Sequence, residues 1–114
     1  WADVQANAVT RIRFLPAEPH FDGPVYVLTS KWTASAAELA TDALRGANRA
    51  IIVGEKTAGE MLSQKIYDIP GGFHLSLPIA DYYSAVHGRI EGVGIKPDIE
   101  TNAADALEIA LKQF

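Results

Sequence analysis

No cysteine occurs among the 114 residues, which removes disulfides and thiolate metal sites but fixes nothing about compartment. His20, His74 and His87 stand far apart in sequence and show no metal-ligand spacing, so no metal or cofactor is expected. No phosphate-cradling glycine motif is present. The ten Lys and Arg residues are scattered and the formal net charge is −4, against the basic stripe that nucleic-acid binding needs. No apolar run approaches the length of a membrane span. The chain opens Trp1-Ala2-Asp3-Val4 with neither an initiator Met nor a leader, so a piece of a longer protein is expected. What is present, 48% hydrophobic and 21% charged residues, describes one globular domain or part of one.

The most informative stretch is residues 23–38, GPVYVLTSKWTASAAE. Gly23-Pro24 punctuate the start of a short apolar run, and Val25, Tyr26, Val27 and Leu28 read as a buried strand. Ala36, Leu39, Ala40, Ala43 and Leu44 then recur at helical spacing, with Gly46 placed to end the helix. Ser35 therefore falls at a helix N-terminus just after a strand. There a hydroxyl sits beside free backbone N–H groups and the positive end of the helix dipole, the preorganised donors that an oxyanion requires. The same residues also spell a capping box, Ser35-x-x-Glu38, in which the serine only closes the helix end. Spacing alone leaves both readings open.

Along the rest of the chain, residues 9–15 alternate imperfectly and predict a half-buried strand. Strand 25–30, helix 36–46 and strand 50–53 predict a βαβ unit whose parallel strands are covered on both faces. Residues 63–69 and 73–79 flank Pro70-Gly71-Gly72 and predict a hairpin, with Phe73, Leu75, Leu77 and Ile79 on one face and His74 and Ser76 on the other. Residues 88–97 read as a glycine-rich loop. A last helix begins at Asn102, capped by Asn102 or Thr101, with Ala103, Ala106, Leu107, Ala110 and Leu111 on one side. The class is α/β.

Three stretches in order carry a resemblance: Thr33-Ala-Ser-Ala-Ala-Glu38, Val53-Gly-Glu-Lys-Thr-Ala-Gly59 and Arg89-Ile-Glu-Gly-Val-Gly-Ile-Lys-Pro-Asp98. Together they resemble the C-terminal half of the catalytic domain of the C-terminal processing (tail-specific) peptidases and their tricorn-like relatives. The resemblance implies a ClpP/crotonase-like half-domain with a βαβ unit, a hairpin and a C-terminal helix over residues 1–114. It implies serine-type peptidase chemistry in the intact protein, with Ser35 as nucleophile and the backbone N–H of Ala36 as one oxyanion donor. The second donor in the family comes from a glycine pair in an Asp-Leu-Arg-x-Asn-x-Gly-Gly stretch that this sequence lacks, as it lacks any PDZ-like module. The isolated chain is therefore expected to be inactive.

One departure matters for the base. Members using a Ser/Lys dyad read T-x-G-K-G, whereas Thr57-Ala58-Gly59 is followed here by Glu60. A carboxyl group, with an ordinary pKa of about 4.3, is far from the poise near neutrality that a base for serine needs. In the tricorn-like branch a histidine from an upstream segment is the base, and a glutamate opening the last glycine loop assists. Glu91 occupies that place; its alternatives are orienting such a histidine or a solvated loop position. Glu60 is the lesser candidate, Lys56 reads as structural, and the three histidines as surface residues. The Tyr82-Tyr83 pair reads as packing. A peptide or protein substrate, a possible homo-oligomer and a periplasmic or exported location follow from the resemblance. A non-catalytic ligand-binding member of the same fold, as in retinoid-binding relatives, and a scaffold domain are the alternatives.

Overall fold

The computed structural model describes residues 17–113 together with Val9, Arg11, Arg13 and Leu15. The strand expected over 9–15 falls largely outside the described residues; the four that are described are irregular and exposed. The elements that follow are β1 (Tyr26–Thr29), α1 (Ala36–Gly46), β2 (Ile51–Gly54), β3 (Ser63–Ile69), β4 (Phe73–Ala80), β5 (Tyr83–Ser84), β6 (Gly88–Arg89), β7 (Ile99–Glu100) and α2 (Ala106–Leu111). The expected α/β class holds, and the βαβ unit, hairpin and C-terminal helix all appear.

β1, β2 and β7 form one parallel sheet in the order β1-β2-β7. Tyr26 pairs with Ile51 and Leu28 with Val53, while Val53 also pairs with Ile99. The central strand is buried as its apolar run requires. Val53 packs with Ala106 and Ala110 of α2, joined by Tyr26, Ile99 and Ile109. Ile52 alternates to the opposite face and is fully buried as well. Full cover fails for β1, at the edge of the sheet among the described residues, whose Leu28 is exposed. A second cluster gathers Met61, Ile90 and Ile95 with Leu39 and Tyr82, fastening the loops beyond β2 to α1.

α2 starts later than its pattern suggests. Asp105 occupies the position before its first residue and makes no side-chain cap bond, and the Asp105 N–H donates to the Asn102 carbonyl instead. Residues 102–105 thus form a turn ahead of the helix. Its buried stripe is Ala106 and Ala110, one helical turn apart; Leu107 and Leu111 face outward. The apolar positions there exceed what one short helix can bury.

The hairpin forms across the expected turn. Tyr67 opposes Leu75 and Ile69 opposes Phe73, placing both with Leu77 and Ile79 on one face, while His74 opposes Asp68 on the other. Its turn uses Gly71 and Gly72, both at positive φ (91° and 78°), the backbone that a tight hairpin connection demands. Every residue of β3 and β4 is nonetheless exposed. The arm stands out from the body, and the radius of gyration of 17.3 Å exceeds the roughly 13 Å of a compact chain this long.

Candidate active site

Ser35 is the last residue before α1, reached through the loop that leaves the C-terminal end of β1. Its backbone lies at φ 54°, ψ −122°. A non-glycine residue held there costs on the order of 1–3 kcal/mol and persists only where its surroundings enforce it. Here the Ser35 N–H donates to the Glu60 carbonyl at 2.9 Å and also to Glu38 Oε2 at 3.1 Å. The Glu38 half of the capping box is therefore made. The serine half is in place too, with the Ser35 side chain facing the Glu38 N–H, although that N–H makes its formal hydrogen bond to the Ser35 carbonyl at 2.8 Å. Among the described residues the Ala36 N–H donates to no acceptor.

Glu38 does more than close a helix end. It is fully buried. Its Oε1 accepts from Thr57 Oγ1 at 2.5 Å and the Gly59 N–H at 2.8 Å, and its Oε2 accepts from the N–H groups of Ser35 and of Glu60, the latter at 3.0 Å. Four donors fill the four lone-pair directions of one carboxylate. The turn at 57–60 is thereby fixed against the helix start. A second loop, 90–95, closes over it. The Gly92 N–H donates to the Gly59 carbonyl at 2.8 Å, and the Ile95 N–H donates to Thr57 Oγ1 at 2.7 Å. Only glycine permits this approach: a Cβ on Gly94, at φ 72°, would stand 2.4 Å from the Thr57 carbonyl oxygen.

The two loops bring Glu91 and Glu60 to Ser35. All three line one cavity of about 540 Å³ with Leu62, Ser63 and Gln64. Glu91 Oε2 accepts from the N–H groups of Met61 (2.5 Å) and Leu62 (3.1 Å), so this carboxylate is anchored to the backbone leading into β3. Neither glutamate is hydrogen-bonded to the Ser35 hydroxyl. Glu60 is pinned through its backbone, while its exposed side chain has no partner among the described residues.

None of the three histidines lines this cavity. His74 pairs with Asp68 on the hairpin, and His20 bridges Glu18 and Asp22. His87, the histidine nearest Glu91 in sequence, turns away to the buried Asp42 of α1, Nδ1 to Oδ1 at 2.6 Å. The Tyr82 hydroxyl donates to the other oxygen of Asp42 at 3.3 Å. Burial raises the Tyr82 phenol above its ordinary pKa, and the Asp42 charge and hydrogen bond push it the same way. Lys56 is exposed and stands outside the cavity lining. The expected surface role fits all three, although the exposed His87 also clasps the buried Asp42 of α1 from the β5–β6 turn. Sequence reasoning also undervalued Glu38. The signal was the capping box, which names one of its four bonds; the other three come from a turn about twenty residues downstream.

A strained strand-to-helix turn that exposes a serine is one setting in which hydrolases carry a nucleophile, and Ser35 sits at such a turn beside a cavity lined by two glutamates. The chain belongs to peptidase family S41, whose family model matches residues 3–101. It is 40% identical over 81 residues to a carboxyl-terminal-processing protease of Picosynechococcus sp., covering 71% of this chain and 20% of that protein. It is 37% identical over 75 residues to the chloroplastic carboxyl-terminal-processing peptidase 2 of Arabidopsis thaliana, covering 66% and 15%. Among solved structures, the photosystem II D1 C-terminal processing protease aligns with a TM-score of 0.63 at 32% identity, over 70% of this chain and 21% of that one. Mature CPAF in complex with lactacystin aligns with a TM-score of 0.70 at 25% identity, over 86% and 20%. The chain therefore spans about a fifth or less of the length of these relatives.

Proposed function

We propose that this chain is the nucleophile-bearing, C-terminal part of the catalytic domain of a serine peptidase with a ClpP/crotonase-like fold. Ser35 Oγ attacks a peptide carbonyl and its proton passes to a base; the acyl-enzyme forms as the amine leaves carrying that proton, and water then releases the acid. The Ala36 N–H is one donor to the oxyanion. The base is a histidine from outside the chain, seated between Ser35 and Glu91. Glu91 fixes its tautomer and balances the imidazolium. Glu91, whose carboxylate is anchored to the Met61 and Leu62 N–H groups, takes that role rather than Glu60, whose exposed side chain has no anchor among the described residues. The substrate is a peptide or protein chain, the enzyme works in an exported or periplasmic compartment, and it forms a homo-oligomer.

The observation that carries this reading is the backbone of Ser35. A serine serving only as a cap has no need of φ 54°, a strained backbone that its surroundings must enforce. The test is a fluorophosphonate probe on the full-length protein, with peptide mapping of the adduct. Labelling at Ser35, lost in Ser35→Ala and strongly reduced in Glu91→Gln, is expected. An intact, folded protein that leaves Ser35 unlabelled would favour the ligand-binding reading.

A further inference from the structure

We infer that the cavity at Ser35 selects peptides carrying a lysine or arginine beside the bond to be cut, and that Glu60 is the residue that selects them; this rests on the peptidase reading above. Ser35 and its backbone define the site, and the charge of the lining defines what enters it. Of the six lining residues two are glutamates, and none is a lysine, arginine or histidine. The two glutamates are not equivalent. Glu91 has an oxygen committed to the Met61 and Leu62 N–H groups. Glu60 has no side-chain partner among the described residues, unlike other carboxylates: Asp42 holds His87, Asp68 holds His74, Asp81 holds Arg89 and Asp98 holds Arg45.

The Glu60 backbone cannot retreat. Its carbonyl takes the Ser35 N–H at 2.9 Å, and its own N–H is bound to the buried Glu38. A full negative charge is therefore held within one side chain's reach of the nucleophile. A peptide whose carbonyl lies at Ser35 Oγ carries the side chains next to that carbonyl into the same space. A cationic side chain there gains an attraction of several-fold in binding across a solvent-exposed gap, and an anionic one suffers the corresponding repulsion. Because the attraction acts on the bound substrate at the reacting end, it appears in kcat/KM.

The experiment uses the full-length protein and three peptides that differ only in the residue beside the scissile bond: Lys, Gln or Glu. Wild-type kcat/KM is expected to fall about fivefold to tenfold from Lys to Gln and further to Glu. The spread should shrink as salt is raised to 0.5 M, on the order of a twofold loss, as a preference for side-chain length would not. Glu60→Gln should bring the Lys-to-Gln ratio close to one, and Glu60→Lys should invert the order. Equal cleavage of the three peptides by wild type, or a Lys preference that survives Glu60→Gln, would overturn the assignment. If no peptide is cut and Ser35 takes no probe, the peptidase reading fails. Calorimetric binding of the same peptides to Ser35→Ala then decides the charge selection separately, tighter binding of the Lys peptide sustaining it and equal binding refuting it.

Discussion

Glu38→Gln tests the physical account of the site most directly. The change keeps the shape of the side chain and removes one acceptor oxygen. Whichever way the amide turns, its NH2 meets two donors: Thr57 Oγ1 and the Gly59 N–H on one side, or the Ser35 and Glu60 N–H groups on the other. The Ser35 N–H keeps a second acceptor in the Glu60 carbonyl, and the Thr57 hydroxyl can rotate to accept. Either way one backbone donor near a fully buried position is left facing an N–H, at a cost of about 1–3 kcal/mol, and the remaining bonds lose their charge assistance. A destabilisation of about 2–4 kcal/mol follows, read as a shift of the urea midpoint at constant slope. Hydrogen exchange locates it: the amides of Gly59 and Glu60 should lose protection while that of Ile52, held by Asp98 at 2.8 Å, keeps it. A loss below about 0.5 kcal/mol, or uniform loss of protection across the sheet, would show that Glu38 does not join the 57–60 turn to the helix start.

The strain at Ser35 predicts that Ser35→Gly is more stable than Ser35→Ala by about 1 kcal/mol, because only glycine adopts φ 54° freely; equal urea midpoints would remove the strained elbow. Gly94→Ala should cost more than about 2 kcal/mol, since its methyl would meet the Thr57 carbonyl at 2.4 Å at a positive φ, whereas Gly88→Ala, with open space around it, should cost only its backbone strain. The phenol of Tyr82 is raised, so the folded state favours its protonated form. That contribution to stability is complete below pH 10 and is lost as pH climbs through the higher folded value; ultraviolet difference titration against Tyr82→Phe should show a tyrosine ionising above 10.

Local signals made the scaffold legible. Punctuation at Gly23-Pro24 and Gly46, the 3.6-residue spacing of α1 and the Pro-Gly-Gly between two alternating arms each marked an element that exists. The failures share one cause. The apolar faces of β1, β3, β4 and α2 predict burial, yet Leu28, Phe73, Ile79, Leu107 and Leu111 are exposed. Periodicity says which side chains share a face, but only tertiary contacts say whether anything covers it. The site was legible in the same measure. Ser35 at a helix start followed from local spacing, whereas Glu91 followed only from the resemblance, its hydrogen-bond partners Met61 and Leu62 lying 29 to 30 residues away. Glu38, His87 and the cavity could not be placed, since their partners lie 19 to 45 residues away.

The capping and catalytic readings of Ser35-x-x-Glu38 are not rivals once the geometry is followed. In an ordinary box the serine hydroxyl satisfies a helix donor, and the glutamate returns the favour. Here the glutamate takes the Ser35 N–H, and the turn at 57–60 supplies the same N–H with a second acceptor through Glu60. Ser35 is thus held from two sides through its backbone in a conformation it would not choose, while its side chain faces the helix start in the box. The Ala36 N–H, one step into the helix, is left without an acceptor among the described residues. That N–H and the Ser35 hydroxyl stand side by side at the mouth of an acidic cavity. On the proposed peptidase reading this is the arrangement acyl transfer needs, and it depends on the buried, fully bonded Glu38 that holds Ser35 at φ 54°.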